Sequence, residues 1–291
     1  MGKQITAERV WENMPVRKSE SNKGSYGKVL LVAGSQRYRG AAALCAEGAA
    51  RTGAGIVTLA AIQPVLDAVL PRLPEICLLP CETGSEGGID SANADAILAQ
   101  ANRSSVLAIG PGLSVCAETK ALVPALIMQS KVPVILDADG LNLAARLDSL
   151  PRPEQAPLIL TPHPGEMARL TRRSVDEIQS NRESVAAGYA RANHCIVVLK
   201  GSRTLVAGPE GDVYVNTTGN PGLSRGGSGD ILTGMIAALV AQKLSPLEAA
   251  VCGAWLHGAA ADRTAQRLGQ YGMLPHDIFA DLGRIFAENG R

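Results

Sequence analysis

The chain has 291 residues, of which 46% are hydrophobic, 3% aromatic and 19% charged, with a formal net charge of +1. This composition excludes a disordered chain, and the balanced charge gives no reason to expect nucleic acid or an anionic membrane as the main partner. The chain can bury a large core, which we expect to consist of Ala, Val, Leu and Ile.

Short apolar runs alternate with helical patterns from residue 28 onwards. Strands are predicted at 28–34, 56–61, 75–81, 105–110, 132–140 and 156–163. Between and after them, helices are predicted at 40–55, 64–70, 92–103, 117–130 and 174–193, the last one capped by Ser174. Residues 195–216 then read as three strands joined by two turns, and helices near 228–242, 246–268 and 276–288 close the chain.

Strands that alternate with helices predict right-handed crossovers and a mostly parallel sheet with helices on both faces. The fold class is therefore α/β, with three α/β/α layers, and the three late strands add an antiparallel edge. No repeat or flexible linker divides the sequence, so we expect residues 1–291 to form a single domain.

In such sheets, ligands bind beyond the carboxyl ends of the strands. The segments that follow the predicted strands contain most of the unusual chemistry of this sequence. They are "GSQRYRG" (34–40), "GPGL" (110–113), "DADGLN" (137–142), "TPHPGE" (161–166), "KGSRT" (200–204) and "NTTGNPGLSRGGSGD" (216–230).

The most informative segment is "NPGLSRGGSGDILTGM" (220–235), where glycines lead into an apolar helix. Glycines and a helix N-terminus present free N–H groups and can bind a phosphate, although the pattern lacks the lysine of a P-loop. Asp230 is unexpected beside an anion. It is either an ordinary first-turn aspartate or a general base for a hydroxyl that attacks the phosphate. We expect the helix N-terminus to keep the pKa of Asp230 low.

The other loops allow two interpretations each. Asp137 and Asp139 lie on the same side of an extended segment, where they either bind Mg²⁺ through water or, for Asp139, cap a helix. His163 is structural or points into the crevice. Glu166 caps the following helix or approaches a hydrated metal ion. Lys200 reaches a nucleotide phosphate or is a solvated residue of an edge strand.

The N-terminal segment has no apolar run typical of a signal peptide, and the longest apolar stretch, 231–241, is too short to span a bilayer. We therefore expect a cytoplasmic protein. The six cysteines form no C-x-x-C pair, and we expect them to be reduced and mostly buried.

Taken together, these segments resemble the ADP-dependent (S)-NAD(P)H-hydrate dehydratase family of the ribokinase-like superfamily. The motifs that carry the resemblance occur in the family's order. They are "NKGSYGKVLLVAGSQRYRGAAALCAEGAARTGAG", "GPGL", "ILDADGLN", "TPHPGE", "VVLKGSRT" and "NTTGNPGLSRGGSGDILTG". A G-[ST]-G-D motif alone would support only a ribokinase-like kinase, whereas its combination with "TPHPGE" and "DADGLN" favours the dehydratase.

The resemblance implies a hydro-lyase that repairs nicotinamide nucleotides. Such an enzyme phosphorylates the C6 hydroxyl of NADH hydrate or NADPH hydrate with ADP or ATP and then eliminates phosphate; with ADP, the products are NAD(P)H, AMP and phosphate. It also implies Mg²⁺ as a cofactor and a homotetramer. Only a short segment precedes the first motif, so we expect the NAD(P)H-hydrate epimerase, which is fused to this domain in many relatives, to be a separate protein.

The resemblance also assigns site residues. Asp230 matches the catalytic aspartate that contacts the hydrate. The other hydrate-binding positions are Ala41, Gly112 and His163. The nucleotide-binding positions are Lys200, Gly201, Ser202, Arg203, Thr204, Gly226, Gly227 and Gly229. Glu166 is a candidate for binding Mg²⁺ through water.

The sequence departs from the family at "GLS" (222–224), where Gly-Met-Ala is frequent, and at Ser228, where Thr is also common. Both changes preserve approximate size and polarity. Arg225 is an additional candidate for steadying the phosphate. Two other functions fit the sequence less well: a ribokinase-like kinase of a small alcohol or vitamin precursor, and a nucleotide-binding regulator without turnover.

Overall fold

Ten strands form the centre of the protein in a computed structural model that describes residues 2–291. They are β1 (Lys3–Gln4), β2 (Lys28–Val32), β3 (Ile56–Ile62), β4 (Cys77–Cys81), β5 (Val106–Ile109), β6 (Val134–Leu136), β7 (Leu158–Leu160), β8 (Ile196–Leu199), β9 (Leu205–Ala207) and β10 (Val213–Val215). All of them join one sheet in the order β1-β10-β9-β8-β7-β6-β5-β2-β3-β4. Only the β8–β9 and β9–β10 pairs are antiparallel within this sheet. The mostly parallel sheet with an antiparallel edge region is therefore confirmed.

Twelve α-helices of the described chain cover both sides of the sheet. They are α1 (Ala7–Asn13), α2 (Arg39–Arg51), α3 (Gln63–Val69), α4 (Ala94–Ala101), α5 (Ala117–Gln129), α6 (Ala138–Ala144), α7 (Pro164–Thr171), α8 (Val175–Ser180), α9 (Arg182–Asn193), α10 (Ser228–Ala241), α11 (Pro246–Gly272) and α12 (Ile278–Glu288). No helix in residues 2–291 has the length and apolar character needed to cross a membrane. We propose that the chain is a single domain, because every strand belongs to one sheet.

The N-terminal segment and residues 174–193 differ from the sequence-based expectation. The single helix predicted at 174–193 is two helices, because Asn181 has non-helical angles (φ −134°, ψ 36°) between α8 and α9. Ser174 does cap α8, where it accepts a hydrogen bond from the Glu177 amide. The sequence pattern did not predict β1, which pairs with β10, or α1, whose N-cap is Thr6.

The sheet also shows where a ligand crevice should lie. Strands β2 and β5 are neighbours in the sheet. Strands β3 and β4 follow on the β2 side, and the strands from β6 to β8 follow on the β5 side. Strand order therefore reverses between β2 and β5. The loops at the carboxyl ends of two such strands leave opposite faces of the sheet and open a crevice, which is the usual ligand site of this architecture.

Helices α2 and α10 approach each other unusually closely over this part of the sheet. Glycines make the approach possible: a Cβ atom at Gly48 would lie 2.6 Å from the Ile231 carbonyl oxygen, and one at Gly234 would collide with the Cys45 carbonyl oxygen. Since backbone cannot move aside as a flexible side chain does, these contacts fix the height of the α10 N-terminus above the sheet.

We expect Gly234→Ala to destabilise the protein by about 1–3 kcal/mol, because the added methyl group forces two packed backbones apart. The measurement is the free energy of unfolding from denaturant titration. The matched control is Gly188→Ala in α9, where a Cβ atom meets nothing within 4 Å and the substitution should stabilise by about 0.5–1 kcal/mol. Equal stability of the two variants would contradict the close packing of α2 and α10.

Candidate functional site

Two neighbouring cavities open at the carboxyl ends of the strands. The larger, of about 610 Å³, lies between the loop after β8, residues 216–230 and α11, and we call it the main cavity. The second, of about 570 Å³, lies between the loop after β2, Gly112 and the start of α6, and we call it the rim cavity. The residues that line both are Ala138, Glu166, Gly226, Gly227 and Asp230.

The N-terminus of α10 forms the wall between the two cavities. Gly227, with a φ of 101°, is the N-cap, and Ser228, Gly229 and Asp230 are the first three helical residues. The amides of Gly229 and Asp230 have no acceptor within the helix, and the helix dipole adds positive potential at the same point. A Cβ atom at Gly229 would lie 3.1 Å from the Lys200 ammonium nitrogen. This end of α10 therefore combines free amides with a nearby cation, which suits an anion.

Asp230 stands at the boundary of the cavities with its carboxylate half-buried. Burial, followed by repulsion from Asp137, raises its pKa to about 7, although Lys200 opposes the rise. The expectation of a low pKa was therefore wrong. A helix terminus contributes about 0.3–1 kcal/mol, which is less than one pKa unit, whereas desolvation of a carboxylate shifts the pKa by up to several units.

Lys200 forms an ion pair with Asp137 at the base of the main cavity, with 2.8 Å between Nζ and Oδ1. Asp137 is 1% exposed and also accepts hydrogen bonds from the hydroxyls of Thr161 (2.7 Å) and Thr233 (2.8 Å). Burial lowers the pKa of Lys200, but attraction to Asp137 and Glu166 more than offsets it, so its pKa lies above the ordinary value. The interpretation of Lys200 as a solvated edge-strand residue is wrong, since β8 lies inside the sheet.

The two aspartates of "DADGLN" do not share one side of an extended segment, because α6 begins between them at Ala138. Asp137 faces the main cavity and the threonines described above. Asp139 instead accepts hydrogen bonds from the Ser114 amide (2.9 Å) and the Asn142 side chain (3.2 Å). Its role here is to hold the loop after β5 against α6.

His163 and Glu166 cap α7 together. His163 Nδ1 accepts hydrogen bonds from the amides of Gly165 (2.9 Å) and Glu166 (3.2 Å), and Glu166 Oε2 accepts one from the His163 amide (2.7 Å). Burial and the nearby Lys200 lower the pKa of His163. The capping interpretation of Glu166 is confirmed. His163 lines the main cavity, whereas Ala41 and Gly112 line the rim cavity.

Ala41 and Gly112 lie against each other across the crevice between β2 and β5. Gly112 has a φ of 64°, and a Cβ atom there would be 2.8 Å from the Ala41 methyl group and 2.7 Å from the Tyr38 carbonyl oxygen. A larger side chain at either position would close the floor of the rim cavity. The structure therefore explains why small residues stand at both positions.

Residues Lys200–Thr204 form a turn whose shape depends on Arg182, a residue that no sequence motif indicated. The Arg182 guanidinium donates hydrogen bonds to the carbonyl oxygens of Leu199 (3.0 Å) and Lys200 (3.3 Å). Gly201, with a φ of 138°, passes close to the same guanidinium. Arg203 also has a positive φ of 58°. The loop is held from the α9 side and leaves its other side open to the main cavity.

Two further polar residues of the main cavity were missed. Within residues 2–291, Ser228 Oγ and His257 Nε2 are buried without a hydrogen-bond partner. Burial lowers the pKa of His257 to about 4, so the imidazole is neutral near pH 7. Arg225, considered above for the phosphate, lines this cavity but donates a hydrogen bond to the Tyr271 carbonyl oxygen at 2.6 Å.

The described residues contain no cluster of three or more His, Cys, Asp or Glu side chains that could enclose a metal ion. Mg²⁺ prefers octahedral oxygen ligands and retains several waters. The oxygens of Asp137 are occupied by threonine hydroxyls and Lys200, which leaves Glu166 and Asp230 as the acids that line both cavities near the α10 N-terminus. The donor set therefore fits an ion bound mainly by water and a ligand's phosphates.

Comparisons with known proteins agree on one family. A family described as NAD(P)H-hydrate dehydratase matches residues 29–284. An ADP-dependent (S)-NAD(P)H-hydrate dehydratase from Bacillus subtilis is 38% identical over 283 residues, which cover 97% of this chain and 96% of that protein. A bifunctional NAD(P)H-hydrate repair enzyme from Moorella thermoacetica is 42% identical over 274 residues, which cover 94% of this chain but 52% of the enzyme. The chain thus spans about half the length of the bifunctional relatives it matches.

Solved structures give the same answer. The Bacillus subtilis ADP/ATP-dependent NAD(P)H-hydrate dehydratase, co-crystallised with ATP and Mg²⁺, superposes with a TM-score of 0.85 at 34% identity and 99% coverage of both chains. A ribokinase from Thermotoga maritima, with a TM-score of 0.50 at 14% identity, covers 88% of this chain and shares the fold alone. The chain therefore has a ribokinase-like fold and belongs to the NAD(P)H-hydrate dehydratase family.

Proposed function

We propose that the chain dehydrates (6S)-NADH hydrate and (6S)-NADPH hydrate with ADP or ATP as the phosphoryl donor. The observation that carries the proposal is the position of Asp230. Its carboxylate lines the main cavity, which contains the nucleotide-binding positions, and the rim cavity, which contains Ala41 and Gly112. A hydroxyl held in the rim cavity and a phosphoryl group held in the main cavity would meet at this side chain.

The proposed reaction has two steps. In the first step, Asp230 accepts the proton of the C6 hydroxyl while the hydroxyl oxygen attacks the terminal phosphoryl group of the nucleotide. The O–P bond between that phosphoryl group and the rest of the nucleotide breaks. With ADP, AMP leaves. The C6–O bond then breaks, phosphate departs with the electron pair, and the neighbouring ring carbon loses a proton to form the double bond of NAD(P)H.

The positions of the remaining residues support this division of roles. We assign the nucleotide phosphates to the turn Lys200–Thr204 and to Gly226, Gly227 and Gly229, because free amides and the Lys200 ammonium converge there. We assign the hydrate to Ala41 and Gly112. His163 lies on the main-cavity side of Asp230, so its contact with the hydrate would be at the boundary between the cavities.

Mg²⁺ would neutralise phosphate charge when it is bound with the nucleotide. The donor set suits an ion held by phosphates and water, with Glu166 as the protein group that binds it through water. The Bacillus subtilis dehydratase was co-crystallised with ATP and Mg²⁺, which supports the same pair of ligands.

We also propose that the protein acts in the cytoplasm as a homotetramer and together with an NAD(P)H-hydrate epimerase activity. The bifunctional NAD(P)H-hydrate repair enzymes among its relatives support the second point, because they combine two activities in one protein.

The assay that tests the reaction mixes the protein with ADP, Mg²⁺ and (6S)-NADH hydrate and follows NADH absorbance together with AMP release. Recovery of NADH with stoichiometric AMP and phosphate is expected. Accumulation of a stable phosphorylated alcohol would instead indicate a kinase of the same fold. Nucleotide binding with no product of either type would indicate a regulator.

Asp230→Asn should lower turnover by about 10²–10⁴-fold, because the amide cannot accept the hydroxyl proton. Binding of ADP, measured by calorimetry, should persist, since the amides of α10 are unchanged. The matched control is Asp95→Asn, an exposed aspartate in the first turn of α4, which should leave turnover unchanged. Full turnover in the Asp230 variant would remove this residue from its proposed role.

The pH dependence follows from the raised pKa of Asp230. A base works only when ionised, so kcat/KM should fall about tenfold per pH unit below about 7 and level off above it. In Asp137→Asn, loss of the repulsive charge lowers the pKa of Asp230, so the acid limb should move to lower pH. The measurement is kcat/KM as a function of pH for wild type and variant in the same buffers. An unchanged limb in the variant would mean that another group sets it.

A further inference from the structure

The rim cavity has an uneven distribution of charge. Its lining contains three carboxylic acids, Asp139, Glu166 and Asp230, and one basic residue, Arg37. The acids belong to α6, α7 and α10, which begin at the carboxyl ends of the strands. Arg37 belongs to the exposed loop between β2 and α2. A ligand with phosphate groups would be repelled by the acids and attracted to Arg37.

The loop that contains Arg37 is fixed to its surroundings on both sides. The Gly34 amide donates to the Pro111 carbonyl oxygen (2.8 Å), and the Gln36 amide donates to the Gly87 carbonyl oxygen (2.9 Å). The hydroxyl of Ser35 forms a hydrogen bond of 2.8 Å with that of Ser114. The backbone therefore holds Arg37 at the mouth of the cavity.

Arg37 also has no competing partner. Within residues 2–291, its guanidinium makes neither an ion pair nor a hydrogen bond with protein, whereas the neighbouring Arg39 donates one to the Gln36 carbonyl oxygen (3.4 Å). Arg37 lines the rim cavity and Arg39 does not. An unpaired guanidinium at the edge of an acid-lined cavity can bind two phosphoryl oxygens. Its planar group donates several hydrogen bonds at once in a bidentate geometry.

We propose that Arg37 binds the pyrophosphate of the hydrated dinucleotide and thereby orients it, with the nicotinamide ring inward at Asp230 and the pyrophosphate outward at the mouth. The inference deepens the proposed function and rests on it. Both dinucleotide hydrates contain the pyrophosphate, so Arg37 would select dinucleotides as a class and would not distinguish NADH hydrate from NADPH hydrate.

The test compares wild type with Arg37→Ala and with the control Arg39→Ala, using NADH hydrate and NADPH hydrate separately. In Arg37→Ala, we expect KM for both hydrates to rise about tenfold or more, as for loss of a charge-assisted contact. The KM for ADP and the kcat at saturation should stay unchanged, because the variant leaves Asp230 and the main cavity intact. Arg39→Ala should match wild type in every parameter.

Each possible outcome decides the question. An unchanged KM for the hydrates in Arg37→Ala overturns the inference, and so does an effect confined to NADPH hydrate, which would place Arg37 at the 2′-phosphate. Equal effects of Arg37→Ala and Arg39→Ala would indicate general electrostatic attraction and also overturn it. If wild type itself converts neither hydrate, the proposed function fails before the variants are compared, so the two failures are distinguishable.

Discussion

The buried ion pair between Lys200 and Asp137 organises the site. It connects the end of β8 to the end of β6, and the two threonine hydroxyls on Asp137 add β7 and α10 to the same point. Removing one partner of a buried pair typically costs about 3–5 kcal/mol, because the other charge is left without compensation. Three neighbouring strand ends and one helix N-terminus therefore meet at this contact. That contact also places the ammonium group beside Gly229.

The backbone packing of α10 sets the position of the same helix from the other side. Gly48 and Gly234 let α2 and α10 approach until their backbones touch. A helix held by backbone contacts along its length and by Thr233 near its start has little freedom to shift. The amides at its N-terminus are thus pre-oriented, and an anion that binds there does not have to order them, which is where preorganised sites gain their electrostatic advantage.

The sequence predicted the parts of the site that depend on local pattern. Apolar runs located the strands, and glycine-rich segments after them located the loops, so the positions of Lys200, Gly229 and Asp230 followed from chain order alone. It did not predict the partners that come from distant elements. Arg182 reaches the loop from a different helix, and His257 enters the cavity from α11, where a histidine among alanines has the pattern of an ordinary core residue. The break at Asn181 was missed because the amphipathic pattern continues across it.

The pKa of Asp230 shows most clearly why local reasoning fails at such a site. The sequence indicates one electrostatic influence on Asp230, the helix N-terminus, and this influence favours the charged form of the carboxylate. In the fold, burial and a second carboxylate favour the neutral form, and together they exceed the helix and Lys200. The result suits the proposed chemistry, because a base with a pKa near the working pH is ionised often enough to act and basic enough to accept a proton. Lys200 limits this rise in pKa, because without its positive charge Asp230 would be neutral over a wider range of pH. The same ion pair that fixes the strand ends therefore also sets the basicity of the group between the two cavities.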